Sequence, residues 1–191
     1  MTKKMVKRWG LAIAALLLGG LAALNMLAYQ HVYSMTHFVV GKVRTGEVET
    51  LTTAQKLKVL FCGVTLAHPQ AHVSMASLGA ACKSINVECT NGVRLGAWYC
   101  PGTNQGPLVI RFHGYDAEKT ATLPEAKAFL EMGLAVLLVD FRGSGESSES
   151  YTTIGYREAE DVAAALRYAH EHLPHARLIL YGQSPWEPQW F

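Results

Sequence analysis

Residues 134–140, LAVLLVD, place six apolar side chains in unbroken succession before an aspartate. A strand with one wet face alternates apolar and polar residues; a run without alternation needs cover on both faces. That condition is met inside an α/β layer. Two more apolar runs, at 108–112 (LVIRF) and 178–181 (LILY), read as strands of the same layer. Between them lie two helix-length segments. LPEAKAFLEM, residues 123–132, has Pro124 in its first turn and Gly133 just past its end, the expected asymmetry of a helix. From about Ile154 to Leu173, Val162, Ala165, Leu166, Ala169 and Leu173 share one helical face. Strand, helix, strand, helix, strand predicts an α/β fold with a doubly wound, mostly parallel sheet, with ligands beyond the carboxyl ends of its strands.

Ahead of these elements, CKSINVEC and VRLGAWYC flank Thr90-Asn91-Gly92. Asn-Gly between two strand-like runs predicts a hairpin with a two-residue turn. Thr90 then faces Val93, facing residue numbers sum to 183, and Cys82 falls diagonally beside Cys100. Both a disulfide and two buried free thiols fit that placement. Cys62, Cys82, Cys89 and Cys100 lack the close-paired spacing of a zinc site, and no metal or cofactor is expected. The composition, 50% apolar and 17% charged, excludes a disordered chain.

The 17 basic and 15 acidic residues give +2, but Lys3, Lys4, Lys7 and Arg8 crowd into the first eight positions and leave −2 for the rest. Nothing in that balance points to nucleic acid. The flank precedes WGLAIAALLLGGLAALNMLAY, residues 9–29, an uncharged run of 21 residues. At about 1.5 Å per residue it is long enough to cross a hydrocarbon core of roughly 30 Å. The basic flank predicts that the bulk of the chain lies outside the cytoplasm. A cleaved signal peptide, giving a secreted form, is the close alternative, although such apolar cores are usually shorter. A buried soluble helix fits less well, because the apolar surface runs all round. The expected organisation is a basic flank at 1–8, a transmembrane anchor at 9–29, a connector at 30–81 with a short helix near 53–61, and an α/β domain at 82–191.

Three stretches follow the three apolar strands: His113-Gly114-Tyr115, Asp140-Phe141-Arg142-Gly143-Ser144-Gly145, and Gly182-Gln183-Ser184. In this order they resemble the α/β-hydrolase superfamily, nearest its serine aminopeptidase and prolyl-oligopeptidase-like branches. The resemblance implies a serine hydrolase acting on a small ester or peptide substrate. It puts Ser184 at the nucleophile position and the backbone N–H of Tyr115 in the oxyanion hole. His113, Gly114 and Gly182 support these turns, so His113 is expected to be structural and not the general base. The glycines of residues 143–145 could also be half of a dinucleotide fingerprint, but the third glycine position is Ser148.

The pattern breaks after Ser184. Pro185 has no backbone N–H, so the second oxyanion donor is lost, and Trp186 stands where the turn requires glycine. In the superfamily the acid and the histidine of the triad follow the nucleophile in chain order, whereas residues 185–191, PWEPQWF, hold neither aspartate nor histidine. Glu187 is too near Ser184 to replace the acid. The sequence therefore predicts a sheet incomplete after the nucleophile strand, a truncated hydrolase product, and no catalysis by these residues as they stand. The alternative is a non-catalytic, membrane-anchored binding module.

Overall fold

The computed structural model describes residues 3–41, 43–79, 81–103 and 106–183. The chain forms two compact units, one of Met1–Met35 with Val43–Leu66 and the other of Thr36–Lys42 with Ala67–Phe191. A single helix, α1, runs over Lys3–Thr36, nearly all of it in the first unit, and so continues past Tyr29, where the apolar stretch gives way to Gln30 and His31. A second helix, α2, spans Thr53–Cys62 and begins with a capping box between Thr52 and Gln55.

The second unit is built on strands β1 (Lys83–Glu88), β2 (Arg94–Cys100), β3 (Leu108–Phe112), β4 (Ala135–Val139) and β5 (Leu178–Gly182), ordered β1-β2-β4-β3-β5. Helix α3 (Leu123–Glu131) connects β3 to β4, and α4 (Glu158–His172) connects β4 to β5. The strand–helix alternation is as the apolar runs predict. The sheet is mixed, however, and not mostly parallel: β3 pairs in parallel with β4 and β5, while β2 runs antiparallel to both β1 and β4. The hairpin docks on the free edge of β4 and brings two antiparallel ladders with it.

Every residue of β3 and β4 is buried, which is why their sequences do not alternate. One face packs Leu108, Ile110, Phe112, Leu137 and Val139 against Ala165 and Ala169 of α4. The other packs Val136, Leu138 and Trp98 against Leu123 and Ala126 of α3. The predicted face of α4 is therefore the buried one, but the helix begins at Glu158 and not at Ile154, because Ile154 and Gly155 both take positive φ, 52° and 104°.

The hairpin differs from expectation by one residue. Cys89 N–H donates to the Val93 carbonyl, enclosing a three-residue loop in which Asn91 and Gly92 have φ of 64° and 75°. Glu88 faces Arg94 and Lys83 faces Tyr99, so Cys82 lies directly opposite Cys100 rather than diagonally. Counting outward from the bonded Cys89–Val93 pair, that position falls on a non-hydrogen-bonded pair, where strands approach most closely. The Cα atoms are 4.2 Å apart and the two cysteines form a disulfide. Cys62 and Cys89 are free thiols.

Candidate functional site

At the carboxyl ends of β3, β4 and β5 the second unit encloses a cavity of about 200 Å³. Its wall takes His113, Gly114, Tyr115 and Asp116 after β3, Phe141, Arg142 and Ser144 after β4, and Gln183 after β5. Phe38, Thr152, Ile154, Gly155 and Glu158 complete it. The predicted stretches His113–Tyr115 and 140–145 thus meet at one site. Gly182 ends β5, and Ser184, Pro185 and Trp186 lie outside the described residues.

His113 is buried and both ring nitrogens are engaged. Nδ1–H donates to the Gly114 carbonyl at 2.7 Å, and Nε2 accepts from the Phe141 N–H at 3.0 Å. Burial pushes its pKa below the ordinary histidine value, against the opposing pull of the Asp140 charge, so the ring is neutral at pH 7. A ring with neither nitrogen available cannot take a proton from a nucleophile. Its work is to tie the loop after β3 to the loop after β4.

The loop after β4 is wound around the carboxylate of Asp140. Oδ1 accepts from the Lys119 N–H at 2.7 Å, and Oδ2 accepts from Lys119 Nζ at 2.5 Å and from the Glu146 N–H at 2.9 Å. The side chains of Lys119 and Asp140 are both fully buried. Gly145, at φ +54°, passes so close that a Cβ there would lie 2.1 Å from Asp140 Oδ2. This explains a glycine at 145, and it makes residues 140–145 a structural turn, as the resemblance implies. Arg142 is held by Asp161 of α4: its N–H donates to Oδ2 at 3.0 Å and its Nη2 to Oδ1 at 2.7 Å. Burial opposes the charge on Arg142, but the bonds to Asp161 outweigh it and hold the guanidinium pKa above its ordinary value. The same carboxylate accepts from the Cys89 thiol; burial first, then the Asp161 charge, pushes that thiol up to about 12.

Glu158 builds the far wall. It accepts from Thr152 Oγ1 (2.7 Å), Thr153 N–H (2.9 Å), Thr153 Oγ1 (2.6 Å) and Gly155 N–H (2.8 Å). These bonds hold the turn in which Ile154, a β-branched residue, takes positive φ, a strained conformation that persists only where its surroundings impose it. Phe38 reaches the cavity through the Thr36–Lys42 segment, whose backbone is bonded to residues 150–152: Phe38 N–H donates to Ser150 O, and Thr152 N–H to Thr36 O. Sequence reasoning missed both. An acidic residue at the start of α4 was visible, but a one-dimensional pattern does not show that Phe38 meets a loop more than a hundred residues away.

For Glu158 burial raises the pKa, but the hydrogen bonds from Thr153 and Thr152 win and lower it below the ordinary glutamate value of 4.5. A carboxylate with a lowered folded-state pKa contributes stability above its unfolded pKa and loses it as pH falls through the folded one. The 152–158 turn is therefore expected to stay protected above about pH 4.5 and to loosen at lower pH. Hydrogen exchange of this segment, followed from neutral to acid pH in wild type and in Glu158→Gln, checks it. Equal loosening in both would remove Glu158 as the cause.

The sequence model of the acetyl xylan esterase (AXE1) family matches residues 64–163, just over half of the 191 residues. The chain belongs to the α/β-hydrolase superfamily. An uncharacterised protein of Mycobacterium tuberculosis is 33% identical over 156 residues, 76% of this chain and 51% of that protein. The acylamino-acid-releasing enzyme of Mus musculus is 28% identical over 156 residues, 75% of this chain and 20% of the enzyme. An esterase of Pyrococcus furiosus superposes with a TM-score of 0.55 at 26% identity, over 60% of this chain and 46% of its own. The chain spans about half the length of the curated relatives it matches first. The superfamily match carries with it an esterase- or hydrolase-type family, and it agrees with the β1-β2-β4-β3-β5 strand order and the cavity at the strand ends.

Proposed function

We propose that the chain forms the oxyanion-side part of a serine-dependent ester-hydrolase site, carried by a membrane-anchored protein and directed at a small ester. The observation that carries this reading is the cavity at the ends of β3, β4 and β5, with Gln183, the residue before Ser184, in its wall. Ser184 holds the nucleophile position, the backbone N–H of Tyr115 is one oxyanion donor, and His113, Gly114 and Gly182 shape the turns around them. Phe38, Phe141 and Ile154 make the wall apolar on one side. At about 30 Å³ for each water-sized group, a cavity of 200 Å³ takes roughly six or seven heavy atoms, a short acyl ester. The organisation that goes with this is a cytoplasmic flank at 1–8, a span at 9–29, a connector at 30–81 and a hydrolase-type domain at 82–191. The uncovered apolar window of α1 and the Cys82–Cys100 disulfide support an anchored chain with its bulk in an oxidising space.

Residues 1–191 by themselves are expected to be inactive. Because Pro185 offers no N–H, the oxyanion loses a donor that contributes on the order of 10²–10³ in rate, and residues 185–191 hold neither aspartate nor histidine to activate Ser184. The 191-residue polypeptide should leave p-nitrophenyl acetate unhydrolysed and remain unlabelled by a fluorophosphonate. Stoichiometric labelling of Ser184 would overturn this. The formed cavity also favours a second reading, a non-catalytic binding module. Saturable binding of ethyl acetate that Ile154→Trp abolishes would show that the cavity holds a ligand, as that reading requires.

A further inference from the structure

The first unit leaves an apolar helix face uncovered. In α2, Leu57, Leu60 and Phe61 stand at i, i+3 and i+4, the spacing of neighbours on one helical face, and are 53%, 52% and 60% exposed. Val59, on the opposite side, is the one residue of α2 that is even partly buried. At about 100° per residue, Lys56 and Lys58 fall on the two flanks of the apolar stripe, and the helix contains no acidic residue.

α1 fixes the level at which this face lies. His31 Nε2–H donates to the Leu60 carbonyl at 2.8 Å. Gly63, which caps α2, approaches α1 so closely that a Cβ there would be 2.2 Å from Ser34 Oγ and 3.4 Å from the Gln30 carbonyl. The end of α2 therefore stands beside residues 30–34 of α1. Counted from Tyr29, the last residue before the polar pair Gln30-His31, those residues rise about 1.5–7.5 Å beyond the apolar stretch. In a bilayer of about 40–45 Å with a core near 30 Å, each headgroup layer is roughly 5–7 Å deep. The two depths coincide. Tyr29 and Tyr33, with ring centroids 6.2 Å apart, mark the same level, where aromatic side chains are favoured.

We infer that α2 is an interfacial helix that lies on the membrane surface. Leu57, Leu60 and Phe61 enter the boundary between headgroups and acyl chains, and Lys56 and Lys58 reach from the flanks to lipid phosphates. The inference rests on the reading of α1 as a membrane span. It also gives the connector a task, because a helix held on the surface restrains the chain that emerges from the membrane.

The test uses the full chain in vesicles of phosphatidylcholine and phosphatidylglycerol. Spin labels are placed one at a time by Leu57→Cys, Phe61→Cys, Gln55→Cys and Leu17→Cys in a Cys62→Ser background, the high pKa of Cys89 keeping that thiol silent at neutral pH. At 57 and 61, relaxation by oxygen should exceed that by a water-soluble nickel chelate severalfold, and at 55 the order should reverse. Relaxation by nickel at 57 and 61, or protection from both reagents as in a protein interface, overturns the inference. The label at 17 separates the two readings. Oxygen-dominated relaxation at 17 with nickel-dominated relaxation at 57 and 61 sinks only the surface helix; nickel at 17 sinks the span itself.

Discussion

Asp140→Ala is expected to expose the sheet-bearing unit to protease by roughly two to three and a half powers of ten. The carboxylate faces Lys119, whose side chain is fully buried, and a second anion on Lys119, Glu146 at 3.1 Å, is about half exposed. Removing one partner of a buried pair leaves an uncompensated charge and costs about 3–5 kcal/mol. At 1.4 kcal/mol per factor of ten this gives the stated increase in the opened fraction, which thermolysin reads when opening is fast relative to cleavage. The loop is lost with the charge, since the N–H groups of Lys119 and Glu146 both donate to this carboxylate. Asp140→Ala combined with Lys119→Met should recover a large part of the loss, because no buried charge then remains. Equal protease sensitivity of the single and double variants would show that the loop bonds, and not the charge, dominate.

The layer was legible because burial on both faces writes itself directly into residues 134–139, and the α4 face because Ala165 and Ala169 repeat at helical spacing. The hairpin was legible as a hairpin, but its register was not. Asn91-Gly92 serves a two-residue turn as well as a three-residue loop with two positive φ angles, and a one-residue difference moves Cys82 from diagonal to opposite. The start of α4 failed for a related reason: Ile154 looks helical in isolation, whereas the bonds from the 152–155 turn to Glu158 fix it elsewhere. At the site, His113 and the 140–145 turn could be placed from strand ends alone. The pairs Lys119–Asp140 and Arg142–Asp161 could not, since partners 21 and 19 residues apart are chosen by the fold and not by spacing. Ser184, which the resemblance puts at the nucleophile position, lies outside the described residues.

The second large effect is expected at β5. This strand pairs with β3 in parallel register from Leu108–Leu178 to Phe112–Gly182, and among the described residues nothing pairs with its other edge. Ile179, Leu180 and Tyr181 are 38%, 50% and 46% exposed, on a strand that carries no charge. An apolar edge with open N–H and C=O groups is a template for further pairing, which natural edges blunt with lysine, proline or a bulge. Arg177, the neighbouring candidate among the described residues, lies outside the strand. Tyr181 is partly occupied, since it packs edge-on against Phe129 and beneath the guanidinium of Arg111 at 4.3 Å, so Leu180 offers the more open surface. Apolar area left in water forgoes about 25 cal/mol per Å², and net stabilities are only about 5–15 kcal/mol, so association is favoured as soon as it covers this strand. A polypeptide of residues 30–191, purified without residues 1–29, should therefore sediment as large assemblies. Leu180→Lys, which sets a charge in the middle of the edge, should shift it toward monomer. A monodisperse, cooperatively melting monomer from the unsubstituted polypeptide would show that the edge is harmless. Assemblies unchanged by Leu180→Lys would move the source of association from β5 to the exposed face of α2.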